Sequence, residues 1–166
     1  MSFPKDLLDQ AMHLANRERT RPKQASLRRA VSTAYYALFH LLIAEAALNW
    51  KHAEHRNQLS RQFQHAAMKQ ASMEQAKAAT KELNRRDLPP PARYVAMHLN
   101  AIATTFVSPQ DHRLKADYDN STKWTRTDVV ALVAEVNEAF RCWAVIRKEP
   151  AAQKYLLSLL VKPRGL

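Results

Sequence analysis

Glycine and cysteine are almost absent from this chain of 166 residues, which contains one of each. The glycine, Gly165, is the second-to-last residue, so no internal position has the backbone freedom that phosphate-binding loops and dinucleotide folds usually require. The cysteine, Cys142, cannot form an internal disulfide, and the chain does not begin with an apolar signal segment. We therefore expect a protein of the reducing cytoplasm that lacks a nucleotide-loop fold.

Long apolar runs are also missing. The stretch 30–44 has no charged residues, but it is shorter than the roughly 20 residues that cross a bilayer, and it contains hydroxyl and histidine side chains. This stretch predicts a core helix. We accordingly expect no membrane association.

Acidic residues are scarce relative to basic ones. The chain has 26 Lys and Arg against 15 Asp and Glu, which gives a formal net charge of +11. Such a charge attracts polyanions through a field that salt screens, so RNA, DNA or an acidic protein are candidate partners. A basic surface also favours solubility, and charge alone identifies no partner.

Helical periodicity is the main positive feature of the sequence. Apolar residues recur at three- and four-residue spacing in most segments, which is typical of amphipathic helices. A basic loop at 16–23 and a proline-rich stretch at 87–91 interrupt the pattern. The predicted helices cover about 4–15, 24–50, 53–82, 92–109, 125–143 and 151–161. We expect an all-α bundle of five to six helices that forms one domain over residues 1–166.

Two sequence blocks resemble a known family. The segment from Arg28 to His40 reads RRAVSTAYYALFH, and it resembles the helix of HEPN-domain proteins that reads approximately S-R-A-Y-Y-A-x-F-H. A second block, Arg113 to Asp119, reads RLKADYD and is similar to an R-x-x-A-D-Y-D element of one bacterial branch. The stretch 63–69 also resembles that branch, so the resemblance spans roughly residues 5–160.

The resemblance to HEPN proteins implies both a fold and a set of functions. HEPN domains are helical bundles that commonly dimerise, and many are metal-independent endoribonucleases of toxin–antitoxin, abortive-infection or CRISPR-linked systems. In active members an Arg is followed four to six residues later by a His, which exchanges protons with the ribose 2′-hydroxyl while the Arg neutralises phosphate charge. The resemblance therefore implies an RNA partner, a homodimer, an antitoxin-like protein as a further partner, and no cofactor.

The second block departs from the pattern of active members. Arg113 is present, but Asp117 and Tyr118 occupy the places where a histidine is expected. Neither residue type titrates near neutrality as histidine does. Two hypotheses remain open: Arg113 acts with Asp117 and Tyr118 as a catalytic group, or the block is an ion-paired structural latch in a non-catalytic, dimerising interaction module.

Basic and histidine side chains elsewhere are candidates for binding RNA. In a HEPN-like fold the second helix lies near the Arg113 block, which would bring Arg29 and His40 towards it; an ion pair between Arg29 and Asp117 is the structural alternative. A second group lies on the predicted third helix and is suited to phosphate binding or simply to solvation. This second group consists of Arg56, Arg61 and His65.

Two other residue spacings are weak evidence for a functional site. His52 and His55 could hold a metal only with further ligands, and no Cys cluster or carboxylate pattern supplies them, so we predict no metal site. Arg93 and His98 match the spacing of the HEPN catalytic pair. On a continuous helix, however, their side chains would lie about 140° apart, so we interpret the match as accidental.

Overall fold

A computed structural model describes residues 2–160 of the chain. All regular structure in that range is helical, which confirms the predicted fold class. The described residues form seven α-helices, so the expected count of five to six was wrong. The helices are α1 (Phe3–Ala15), α2 (Gln24–Leu48), α3 (Arg56–Ser60), α4 (His65–Leu83), α5 (Pro90–Tyr118), α6 (Arg126–Ile146) and α7 (Pro150–Ser158), with a 3-10 turn at Ala53–His55 before α3.

The additional helix arises from a break in the segment that was predicted as a single helix over 53–82. Residues 61–64 leave the helical conformation between α3 and α4, and Gln64 is extended with φ −120° and ψ 132°. The side chain of Phe63 is buried at this break, whereas its neighbours on both sides are exposed. Burial of an aromatic ring thus outweighs local helix propensity, which is a weak determinant by itself.

Helix α5 is longer than its sequence predicted. It begins at Pro90 inside the proline-rich stretch, since a proline in the first helical turn has no amide that needs an intrahelical acceptor. It then continues through Pro109 to Tyr118, so the predicted end near Pro109 was wrong. An interior proline removes one hydrogen bond, but Phe106 before it and Ala116 after it are both buried, and this packing holds the helix together.

The chain divides into two compact units. The described part of the first unit comprises residues 2–41 and 105–140, and that of the second comprises 42–104 and 141–160. The prediction that the chain forms one domain over 1–166 is not tested by this division. The core of the first unit consists of small and large apolar side chains, among them Leu8, Ala11, Leu27, Val31, Ala34, Tyr35, Leu38, Phe106, Val129, Val133 and Val136.

The second unit is built around α4, α7 and parts of the longer helices. Its buried side chains include Met68, Ile102 and Trp143. The Tyr155 hydroxyl lies 2.8 Å from that of Ser72, which satisfies two buried polar groups. Burial raises the pKa of Tyr155 above its ordinary value, and the hydrogen bond with Ser72 offsets only part of that rise.

Helix α2 is the only described helix that is long and apolar enough to cross a membrane, judged by length and composition. In its most apolar window, 67% of the residues are buried inside the protein. Core helices of soluble proteins commonly meet the same criterion.

Candidate functional site

Within the first unit, the two family-like blocks contact each other through Arg28. Its guanidinium group donates hydrogen bonds to the carbonyl oxygens of Ala116 (2.9 Å), Asp119 (2.9 Å) and Thr122 (2.8 Å). The last carbonyls of a helix lack intrahelical donors, and a cation near them also interacts favourably with the helix dipole. Arg28 therefore caps the C-terminal end of α5, a role that the sequence analysis did not assign to it.

A second contact between the blocks forms around Arg113. The Nε of Arg113 donates to Oδ2 of Asp117 over 3.1 Å, and the carboxylate also accepts a hydrogen bond from the Ser32 hydroxyl. The guanidinium carbon lies 5.7 Å from the ring centroid of Tyr35 and 5.5 Å from that of Tyr36, within the range of cation–π attraction. We call these five residues the Arg113 cluster.

The Arg113 cluster is largely shielded from solvent. The side chain of Arg113 is 12% exposed and that of Asp117 is 29% exposed. Burial acts to lower the pKa of Arg113, but the hydrogen bond to Asp117 and the negative potential of Asp117 and the two phenols together raise it. Burial raises the pKa of Tyr35, and the charge of Arg113 offsets only part of that rise. At neutral pH the cluster thus contains a paired guanidinium ion and a neutral phenol at Tyr35.

The predicted catalytic set is only partly assembled. Arg113 and Asp117 contact each other, but Tyr118, the last residue of α5, is 74% exposed and makes no side-chain hydrogen bond in the described structure. Within residues 2–160 no histidine is hydrogen-bonded or ion-paired with Arg113. The neighbouring His112 packs instead against the edge of Trp124, with ring centroids 5.7 Å apart. The cluster therefore lacks the acid–base group of the active family members.

A groove lies beside the Arg113 cluster, between one face of α1 and one face of α2. Its volume is about 590 Å³. Tyr36 belongs both to the cluster and to the groove. The lining residues follow three- and four-residue spacing on each helix, as expected for two opposed helical faces. They are Phe3, Leu7, Gln10, Leu14 and Arg17 from α1 and its C-terminal extension, and Arg29, Thr33, Tyr36 and His40 from α2.

The two ends of this groove, which we call the arginine groove, differ in chemistry. One end is aromatic: the ring of His40 lies 5.0 Å from that of Phe3 and is stacked on that of Tyr36 at 6.2 Å, measured between centroids. The other end holds Arg17 and Arg29, which flank the loop that joins α1 to α2. Burial lowers the pKa of His40, so its imidazole is neutral at pH 7.

The arginines of the groove are free of protein partners. Neither guanidinium group, of Arg17 or of Arg29, makes a hydrogen bond or an ion pair within the described chain. The considered ion pair between Arg29 and Asp117 does not form, because Asp117 is already bonded to Arg113 and Ser32. Arg29 is consequently available to a ligand.

The remaining predicted RNA-binding residues belong to the second unit. Arg56 donates to the carbonyl oxygens of Trp50 (3.1 Å) and Leu48 (3.4 Å), so it caps the end of α2. Arg61 is exposed where α3 ends, and His65 is the first residue of α4. Arg56 is thus engaged in local structure, whereas Arg61 presents its charge to solvent.

The structure agrees with the interpretation that the spacing of Arg93 and His98 is accidental. Arg93 donates to the carbonyl oxygens of Leu83 (2.9 Å) and Arg85 (2.7 Å), while Nδ1 of His98 lies 2.7 Å from the carbonyl oxygen of Tyr94. The two side chains have different partners and form no joint site. Across residues 2–160, no three His, Cys, Asp or Glu side chains come together in a way that could hold a metal ion.

Sequence reasoning missed Arg17 and Ser32 as well as Arg28. Arg17 follows Leu7 and Leu14 at helical spacing, so its position on the groove face of α1 could have been read from the periodicity. The bond between Ser32 and Asp117 joins residues 85 positions apart, and no local pattern indicates it.

We compared the chain with protein-family models, with curated proteins and with solved structures, and no match was found in any of the three comparisons.

Proposed function

We propose that the protein is a HEPN-like helical module that associates with RNA, and that its Arg113–Asp117 pair is a structural latch instead of a ribonuclease centre. One observation carries the proposal. Arg113 is enclosed by a carboxylate and two phenol rings, whereas Arg17 and Arg29 are unpaired on an open groove of the same unit.

The contact between the two family-like blocks supports the HEPN-like part of the proposal. Ser32, Tyr35 and Tyr36 of the first block bond or pack against Arg113 and Asp117 of the second. Residues that resemble a family pattern thus meet in space although more than 70 positions separate the blocks. Such agreement between pattern and packing is expected if both blocks belong to one fold.

The surroundings of Arg113 oppose a catalytic role. Asp117 already accepts a hydrogen bond from Nε of Arg113, and its carboxylate would repel an approaching phosphate. Cleavage through the ribose 2′-hydroxyl also requires a group that exchanges protons near neutral pH. Arg113 has no histidine partner for that purpose in the part of the chain that the structure describes.

RNA association is supported by charge and by its distribution. The net charge of +11 attracts a polyanion, and the unpaired arginines of the groove offer planar, multiple donors that suit phosphate oxygens. Binding that depends on such contacts weakens as salt rises, because displaced counterions are a main driving force.

The test combines RNA binding with RNA cleavage in a metal-free buffer with EDTA. The wild-type protein is expected to bind a mixed-sequence RNA more weakly as salt rises from 50 to 200 mM, and to leave the RNA intact. Cleavage that is lost in Arg113→Ala, but kept in the exposed control Arg85→Ala, would contradict the latch. Absence of binding to any RNA at low salt would contradict the RNA association.

A dimerising interaction module is a second candidate function, and one observation favours it. Leu114 and Tyr118 are both exposed, lie four residues apart and so share one face of α5. Exposed apolar side chains that adjoin each other are common in interfaces, here with a second copy of the chain. Sedimentation analysis of the double variant Leu114→Ser/Tyr118→Ser should give a monomer if this face forms a homodimer.

A further inference from the structure

We infer that the arginine groove binds a short segment of single-stranded RNA, with backbone phosphates on Arg17 and Arg29 and an unpaired base on Phe3. This inference rests on the proposed association with RNA, and it specifies both the binding site and the form of RNA that the site accepts. Three features of the groove support it: the unpaired cations, the aromatic end and the length.

The arginine end suits phosphate because nothing in the protein competes for it. No carboxylate is among the residues that line the groove. The nearest acidic residue in sequence, Glu18, accepts hydrogen bonds from the Ser26 hydroxyl (2.7 Å) and the Lys23 amide (3.2 Å). These bonds lower the pKa of Glu18 and hold its carboxylate at the base of the loop. Both guanidinium groups therefore keep their full donor capacity for a ligand.

The aromatic end suits a base that is free to stack. Phe3 is 59% exposed, although its ring makes a T-shaped contact with that of His40. An exposed ring of this kind offers a face to an unpaired base, and such stacking tolerates any base identity. Gln10 and Thr33 lie between the two ends, and the exposed amide of Gln10 can hydrogen-bond with ribose or base atoms.

The dimensions of the groove favour a single strand over a mononucleotide or a duplex. Arg29 and His40 are eleven residues apart, which is about 16 Å along a helix. This length separates the phosphate end from the stacking end by more than one nucleotide unit. In an A-form duplex the bases are paired and stacked inside the helix, so none is free to reach Phe3.

Fluorescence anisotropy with a 5′-labelled eight-nucleotide RNA without secondary structure tests the inference. Arg17→Ala/Arg29→Ala should weaken binding about tenfold or more, because two charge-assisted contacts are lost. The matched control is Arg21→Ala, which removes an exposed cation from the same loop but not from the groove. The control should change affinity less than about twofold, as expected for a loss of general field alone.

A second pair of variants tests the stacking end. Phe3→Leu keeps an apolar side chain but removes the ring, and it should weaken binding about fivefold or more, in line with the effect of losing one stacked base. Tyr94→Leu removes an exposed aromatic ring of the second unit and should leave affinity unchanged. Circular dichroism melting curves establish that every variant is folded at the assay temperature.

The possible outcomes distinguish the binding of single-stranded RNA in the groove from the more general association with RNA. If the wild-type protein binds RNA and the Arg17→Ala/Arg29→Ala variant binds it equally well, the groove assignment is wrong but the RNA association stands. If duplex RNA of the same length binds as tightly as the single strand, or if an acidic peptide displaces the RNA at equal charge concentration, the single-stranded RNA assignment is wrong. If no RNA binds to the wild-type protein, both are wrong.

Discussion

The Arg113 cluster and the arginine groove contain the same residue types in opposite environments. Both combine arginine with aromatic rings, and Tyr36 takes part in both. In the cluster, however, the guanidinium group is paired with Asp117 and is 12% exposed, whereas the groove arginines have no protein partner in the described chain. A paired, enclosed arginine stabilises the fold, and an unpaired one at an open surface is available to a ligand.

This difference changes how the family-like block is interpreted. The presence of Arg113 in an R-x-x-A-D-Y-D pattern invites a catalytic hypothesis, but its Nε–H is bonded to Asp117 and its guanidinium group packs against the rings of Tyr35 and Tyr36. Arg28, the first arginine of the other block, is used structurally as well, since it caps α5. The next residue, Arg29, is exposed and unpaired. Neighbouring arginines of one motif thus have different surroundings, and only Arg29 is open to a ligand.

The largest expected effect is the loss of stability in Arg113→Ala. This change leaves Asp117 without its cation and removes the contacts with both tyrosine rings. We expect the free energy of unfolding to fall by about 2 to 4 kcal/mol, between the values for exposed and for fully buried ion pairs. Urea denaturation measures it.

The control for Arg113→Ala is Arg85→Ala. Arg85 also pairs with an aspartate, Asp87 at 2.9 Å, but both side chains of that pair are exposed. Its loss should leave the urea midpoint unchanged. Equal unfolding curves for wild type and Arg113→Ala would show that the latch contributes nothing to stability. That result would contradict the structural role proposed for Arg113.

The adjacent residues Arg28 and Arg29 give a second, somewhat smaller effect. Arg28→Ala leaves three carbonyl oxygens at the end of α5 without a donor, and we expect a loss of about 2 kcal/mol in the free energy of unfolding. Arg29→Ala should leave stability unchanged and weaken RNA binding. Parallel urea and anisotropy measurements on the two variants check this separation. Identical behaviour of the two would contradict it.

The smallest expected effect concerns the pH dependence of stability through His40. Burial lowers its pKa in the folded protein, while the unfolded chain has a pKa of about 6.5. The rings of Phe3, Tyr36 and Phe39 contact this imidazole, and the charged side chains that line the same groove, Arg17 and Arg29, lie at its other end.

The sign of the effect follows from the number of bound protons. As pH falls below about 6.5, the unfolded state takes up a proton that the folded state does not, so the free energy of unfolding decreases. The wild-type protein should therefore lose more stability between pH 7.5 and 5.5 than His40→Gln does. The control His52→Gln removes an exposed histidine and should keep the wild-type dependence. Equal pH dependence in His40→Gln and wild type would contradict the argument.

The sequence predicted those helices whose apolar residues keep a regular period. The apolar periods of α1, α2 and α6 agree with the structure, and Thr125 caps the N-terminal end of α6 by accepting a hydrogen bond from the Asp128 amide at 3.2 Å. The break before α4 and the passage of α5 through Pro109 were not predictable. Both depend on tertiary burial, of Phe63 in one case and of residues on either side of the proline in the other.

The candidate site was predictable only in part, for a related reason. The sequence indicated Arg29, His40, Arg113 and Asp117 as residues of interest. It could not show which arginine Asp117 would pair with, because Ser32, Tyr35 and Tyr36 enclose Arg113 only after α2 and α5 have packed together. The pairing of a charge is a property of the folded chain, and it decides here between a structural and a binding role.

The most direct test of the account is the salt dependence of single-stranded RNA binding in two charge-matched variants, Arg29→Gln and Arg113→Gln. Each variant removes one positive charge from the same unit. Log affinity falls as log salt rises, and the magnitude of this slope should decrease by about 0.7 in Arg29→Gln, the value for one lost phosphate contact with a single strand, and should be unchanged in Arg113→Gln. A reduced slope in Arg113→Gln together with a wild-type slope in Arg29→Gln would contradict the account.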